Sequence, residues 1–265
     1  MSSTNQCSFR STVLIFLVIL ILLVPPIYFV NIMHVLVLGI WPHSLTYPLQ
    51  RSATMSVIWM ESPQRLDVSS LSLFDVIIIH DVPATFLTVD LELELVEKVE
   101  QGKGLIMFGG LFSFGLGEYQ NSTLSRVLPV TCVSKAFNTQ NVALQKIREH
   151  EIIKGVNVSR IRPLGYNILA IKPYGALTLV VDKITNYPII VIGEYGKGKV
   201  VVFAFGETMI DTVTLKTLLS NIMKWLSPDT CSRAVYAFHF LLFTILAVIA
   251  LVPLYAIKLR RHFRK

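Results

Sequence analysis

The chain is poor in the residues that usually advertise chemistry. It has three cysteines in 265 residues, Cys7, Cys132 and Cys231, too few and too scattered for a disulfide framework. A Cys132–Cys231 bridge remains one option, and a free buried thiol at Cys132 the other. No His/Cys/Asp spacing suits a metal. HEIIK at 150–154 has Lys154 where a zinc-protease motif needs its second histidine. GEYGKGKV lacks the spacing and the trailing Ser/Thr of a phosphate loop, so it reads as a hairpin turn. Nothing calls for a cofactor. Internal repeats and low-complexity linkers are lacking too.

Charge is also scarce. Charged residues make up 15% of the chain and hydrophobic ones 53%, which directs attention to membrane segments. Residues 11–31 carry no charge and have the roughly 20-residue length that crosses a bilayer. Their apolar core exceeds the usual ~7–15 residues of a signal peptide, and no A-x-A site follows, so they read as an uncleaved anchor rather than a cleaved signal. Pro25 and Pro26 kink or end that helix. Residues 234–257 form a second candidate span, with His239 inside it. His239 is open to two readings, a functional intramembrane group or a neutral imidazole facing another helix.

The net charge of +7 comes from the ends. Arg10, Arg233, Lys258, Arg260, Arg261, Arg264 and Lys265 supply the excess, and the remaining basic residues are matched by all 17 acids within 32–230. A neutral middle argues against nucleic acid. The basic tail directly after the second apolar segment predicts a cytoplasmic C-terminus. The expected organisation is a cytoplasmic stretch (1–10), a first span (11–31), an extracytoplasmic domain (34–228), a second span (234–257) and a basic cytoplasmic tail (258–265). The expected partners are therefore the lipid bilayer, through its anionic headgroups, and a membrane or cell-surface protein. Asn121 and Asn157 head glycosylation sequons inside the expected outer domain.

Between the two spans, apolar runs alternate with amphipathic stretches. HVLVLGI (34–40), MSVIWME (55–61), FDVIIIHDV (74–82) and GLIMFGG (104–110) read as strands. Thr88 or Asp90 caps a helix that Gly102 stops. PIIVIGEY and KVVVFAFG read as a hairpin through Gly196-Lys197-Gly198, and a last helix runs from about Asp211 to Leu226. This order predicts an α/β fold with a mostly parallel sheet.

These runs carry a resemblance. FDVIIIHDVPA, QGKGLIMFGG, SFGLGEYQNSTLSRVLPV, HEIIKGV, the PIIVIGEYGKGKVVVFAFGE hairpin and Asn221-x-x-x-Trp225 occur in the order seen in glutamine amidotransferase-like domains of the class I glutamine amidotransferase-like superfamily. The similarity spans most of residues 34–228. It implies a flavodoxin-like three-layer sandwich, often attached to a membrane. In the active relatives a cysteine stands at a strand-to-helix elbow and works with a distant His-Glu pair. Here the matching turn is Gly109-Gly110-Leu111, and no histidine lies between residue 150 and the second span. The resemblance therefore implies a domain without the thiol, which binds rather than reacts.

The turn residues Gly109, Gly110, Ser113, Gly115, Glu118 and Tyr119 are the candidate ligand contacts. His80, Asp81 and Ser113 form the best alternative catalytic set, because the carboxyl ends of parallel strands face the crevice of an α/β sheet. Ser113 lacks the glycine two residues before it that a nucleophile elbow needs, so it also reads as a turn serine. Asp81 could as well cap a turn, with His80 a partly buried edge residue. A third reading is carbohydrate binding or processing, as in the related trehalose-utilisation-like domains. It requires Phe112, Phe114 and Tyr119 to lie exposed beside the crevice.

Overall fold

The computed structural model describes residues 32–39, 43–52, 54–139, 142–173, 175–206 and 208–227. Both expected spans, 11–31 and 234–257, lie outside the described residues, as does the tail. Among the described residues no helix is long and apolar enough to cross a membrane.

One eight-stranded sheet organises the domain. Strand β1 (Met33–Gly39) pairs in parallel with β2 (Met55–Met60) on one side and with β3 (Val76–His80) on the other. β4 (Gly104–Phe108) continues the parallel set beside β3. Later in the chain come β5 (Val130–Asn138), β6 (Leu144–Lys146), β7 (Arg162–Pro163), β8 (Tyr166–Ile171), β9 (Ala176–Asp182), β10 (Pro188–Tyr195), β11 (Gly198–Phe203) and β12 (Thr208–Met209). The sheet order is β2-β1-β3-β4-β11-β10-β9-β6. β11 is parallel to β4, and the last three strands are antiparallel additions. Two small ladders, β5–β8 and β7–β12, lie outside this sheet.

The central strands are apolar because both their faces are covered. Ile77, Ile78 and Ile79 of β3 and Leu105, Ile106 and Met107 of β4 have no exposed surface. Each such side chain contributes about 1.5–3 kcal/mol by leaving water.

Helix α1 (His43–Gln50) follows β1, α2 (Val89–Glu100) connects β3 to β4, and α3 (Thr212–Leu226) closes the domain. The start of α2 is fixed by Thr88, whose Oγ1 accepts from the Leu91 N–H. Asp211 does the same for α3 through the Thr214 N–H and hydroxyl. Strand alternation places α2 and α3 on opposite faces. A Cβ on Gly198 would strike the Val99 carbonyl of α2, whereas the next residue, Lys199, donates from Nζ to the Trp225 carbonyl of α3. α1 packs against α3, which completes a three-layer α/β/α arrangement.

The expected strands 34–40, 55–61, 74–82 and 104–110 are all present; β1 starts one residue earlier than expected, and β2, β3 and β4 are shorter. β3 stops at His80 because Asp81 turns to a left-handed φ of 49°. β4 stops at Phe108 because the two glycines that follow enter the turn. Cys132, on β5, is a free thiol.

Candidate functional site

The parallel strands point their carboxyl ends toward one edge of the sheet. The connection direction reverses between β1 and β3, the place where open α/β sheets put their ligand crevice. The two strands close on each other here: a Cβ on Gly39 would lie 2.3 Å from the His80 carbonyl oxygen. Gly39 also accepts a hydrogen bond on its carbonyl from the Trp59 indole N–H at 2.8 Å.

Beside this point, the chain from Gly109 to Tyr119 folds into a turn held from two sides. Asp81 holds one side. Its Oδ1 accepts from the Phe112 N–H at 2.7 Å and from the Ser113 hydroxyl at 3.2 Å. The same hydroxyl lies 3.3 Å from the Phe108 carbonyl, so Ser113 links the end of β4 to the end of β3. Asn167, the second residue of β8, holds the other side. Its Oδ1 accepts from the Gly110 N–H at 3.0 Å, and its Nδ2 donates to the carbonyls of Gly110 (3.0 Å) and Ser113 (3.3 Å). Asn167 is itself fixed by a 2.7 Å bond from its N–H to the Ala204 carbonyl. Such a buried amide is held hard, because each bond it lost would leave a polar group away from water.

The glycines are required by close approach. A Cβ on Gly109 would fall 2.4 Å from Asn167 Oδ1 and 2.5 Å from the Ala204 carbonyl oxygen. On Gly110, at φ +148°, a Cβ would fall 2.2–2.4 Å from the carboxylate carbon and oxygens of Asp81. Gly115 and Gly117 press in the same way on the Ser134 and Phe112 carbonyls. Phe114 and Glu118 take left-handed φ values of 51° and 63° to complete the turn.

The expected site residues divide into two groups. Gly109, Gly110, Ser113, Gly115 and Tyr119 are buried and build the turn from within. Tyr119 donates its hydroxyl to the Val82 carbonyl at 2.8 Å, and burial, then the Glu92 and Asp81 carboxylates, push its pKa far above the ordinary tyrosine value. It stays a protonated structural donor. Phe114 is also fully buried, tilted against the Tyr119 ring. The surface of the turn is made by Leu111, Phe112, Leu116 and Glu118, and Glu118 pairs with Lys135 at 3.6 Å. Phe112, 53% exposed, is the open aromatic of the three expected beside the crevice.

Of the alternative catalytic set, Asp81 and Ser113 are in hydrogen-bond contact. Ser113 is fully buried. His80 is buried as well, its ring 5.8 Å from Phe108, which stacks flat on Phe203 at 4.4 Å. Cys132 is half-buried on β5, and burial raises its thiol pKa, the reverse of what a thiolate nucleophile needs. Among the described residues no group of His, Cys, Asp and Glu could hold a metal. Asn121 and Asn157 are exposed, and Asn157 Oδ1 accepts from the Ser159 N–H and hydroxyl.

Asn167 is the site residue that sequence reasoning missed. Its signal was one amide inside the apolar strand YNILAI. Two motifs that carry the resemblance, HEIIKGV and Asn221-x-x-x-Trp225, meet each other in the fold. Asn221 Nδ2 donates to the carbonyls of Ile152 and Lys154, and His150 lies edge-on to Trp225 at 5.6 Å.

Solved structures of the same fold include two cytoplasmic proteins of Salmonella. One is from Salmonella typhimurium LT2 (TM-score 0.65, 23% identity, covering 74% of this chain and all of that one). The other, from Salmonella typhimurium, has TM-score 0.65 and 19% identity over the same shares. A ThuA-like protein from Bacteroides uniformis ATCC 8492 matches at TM-score 0.55 and 14% identity, over 73% of this chain and 91% of that one. These likenesses establish the fold. Among curated proteins none matches this chain. Residues 52–227, which contain the held turn, Asn167 and the Asn221–Trp225 helix, match the family described as "Putative glutamine amidotransferase", and the chain belongs to that family.

Proposed function

We propose that this chain is a non-catalytic member of its family, anchored in a membrane by its two apolar segments and working in recognition or as a subunit of a cell-surface complex. The observation that carries the first part is the relation of Asp81 to Gly110. In active class I relatives this elbow presents a thiol. Here the Asp81 carboxylate occupies the space into which a side chain on Gly110 would grow, and Asn167 occupies the space beside Gly109. The thiol is missing, and so is room for one at either glycine. What the turn offers outward is Leu111, Phe112 and Leu116, an apolar surface suited to contact.

The test is a glutaminase assay on the purified full chain in mild detergent, with co-purification from the native membrane in parallel. No glutamate release, together with a stoichiometric partner, is the expected result. Steady glutamate release above a heat-denatured control overturns the reading.

A hydrolase using Ser113 and Asp81 is the second reading, favoured by their 3.2 Å contact. It requires the serine to reach substrate, and the buried hydroxyl is directed at Asp81 and the Phe108 carbonyl instead. A fluorophosphonate probe that labels the chain, and fails to label Ser113→Ala, would establish it. Carbohydrate binding has weaker support, because Phe114 and Tyr119 are buried.

A further inference from the structure

We infer that the domain faces the membrane with the amino-terminal edge of its sheet, so that the Gly109–Tyr119 turn opens away from the bilayer toward an aqueous partner. This rests on the proposed reading of 11–31 and 234–257 as spans. The placement follows from the domain itself. β1, β3, β4 and β11 are parallel, so Met33, Val76, Gly104 and Gly198 begin along one edge. α3 returns to that same edge. Its last turn brings the Trp225 carbonyl to 3.0 Å from Lys199 Nζ, at the start of β11, and places Leu226 Cβ 3.0 Å from where a Cβ on Gly104 would stand. The chain thus enters the domain at Met33 and leaves it after Ser227 on one side, two residues after the first apolar segment and seven before the second. Asp81, Gly110 and Phe112 lie beyond the other ends of the strands, roughly 15 Å away at ~3.3 Å per residue.

The chemistry of the amino-terminal edge suits an interface with lipid headgroups. Leu73, just before β3, is 69% exposed, and Lys197 is exposed in the β10–β11 turn. Lys224 is exposed in the last turn of α3. At this edge an open leucine can place its apolar atoms among acyl chains, and the exposed ammonium groups, with the Glu100 carboxylate beside Lys197, lie at headgroup level.

Reporter cysteines test this in the full chain. With Cys7, Cys132 and Cys231 replaced by serine, Leu73→Cys, Lys197→Cys and Leu111→Cys are labelled singly with an environment-sensitive fluorophore, in vesicles of phosphatidylcholine and phosphatidylglycerol. A quencher attached to the lipid headgroup is expected to reduce emission at positions 73 and 197 and to leave position 111 unchanged. Quenching at 111 and not at 73 or 197, or equal emission at all three, overturns the orientation. Carbonate extraction of the same vesicles separates the two levels. A chain that stays in the pellet but gives the wrong quenching pattern refutes the orientation alone. A chain released by carbonate refutes the membrane anchoring and the orientation together.

Discussion

The carboxylate of Asp81 stands where a side chain on Gly110 would have to begin, 2.2 Å from its Cβ position. Asp81 also accepts from the next two residues but one along the turn, Phe112 and Ser113. One carboxylate therefore fills the turn and ties it down.

Gly110→Ala is expected to destabilise the domain by about 3 kcal/mol, through overpacking and the left-handed φ that alanine resists. In the double variant with Asp81→Gly the clash is relieved, so the combined cost should fall below the sum of the single costs. Urea unfolding of the four proteins measures this. Strict additivity would show that Asp81 and Gly110 do not contend for one space.

Asn167→Ala removes three hydrogen bonds from the buried turn and should cost about 3 kcal/mol. The loss should be concentrated in the turn, so amide hydrogen exchange at Gly110 should quicken much more than in β3. Equal change in both would mean that Asn167 supports the domain as a whole.

Asp182 makes a pH prediction. Burial works to raise its pKa, but the Thr185 hydroxyl, the Ala143 and Thr185 N–H groups and the Tyr166 hydroxyl outweigh it, and the net pKa is lowered. A lowered folded-state pKa gives stability that is fully present above the ordinary aspartate value. That stability is lost as pH falls through the lower, folded value. Thermal melts from pH 6 down to pH 2 should therefore show a low-pH decline that is smaller in Asp182→Asn, the remainder coming from groups such as Asp211, whose pKa is lowered too. An identical decline in the variant would assign it to other carboxylates.

Asn221→Ala should cost about 2 kcal/mol, since it frees the Ile152 and Lys154 carbonyls at one stroke. Thermal unfolding checks the size. Because the contact is remote from the turn, labelling of Leu111→Cys should proceed at the same rate with and without the change.

The sequence's own periodicity was enough for the parallel strands and the two long helices. Ile77–Ile79 and Leu105–Met107 are apolar on both faces, a pattern imposed wherever a strand is covered twice. Thr88 or Asp90 was legible as the cap of α2 because capping is local, acting through an N–H three residues on, and the structure selects Thr88 and shows Asp211 in the same role on α3. Gly109-Gly110 was legible as a turn because its glycines are local, and the resemblance is what marks that turn as one without the relatives' thiol. The role of Ser113 was only half legible: its residue type allowed a nucleophile or a turn serine, and its burial was invisible.

What the sequence by itself determined was the alternation of elements, the place of the turn and the concentration of positive charge at the chain ends. Those properties belong to neighbours along the chain, so composition and spacing carry them. The tertiary structure alone decided that Asp81 fills the space beside Gly110, that Asn167 closes the turn, and that Phe114 and Tyr119 face inward while Phe112 faces out. These contacts join residues about 30 to 57 positions apart, or depend on a left-handed φ that reverses which side a residue presents. No local pattern records either, because they exist only once the sheet has brought its strand ends together.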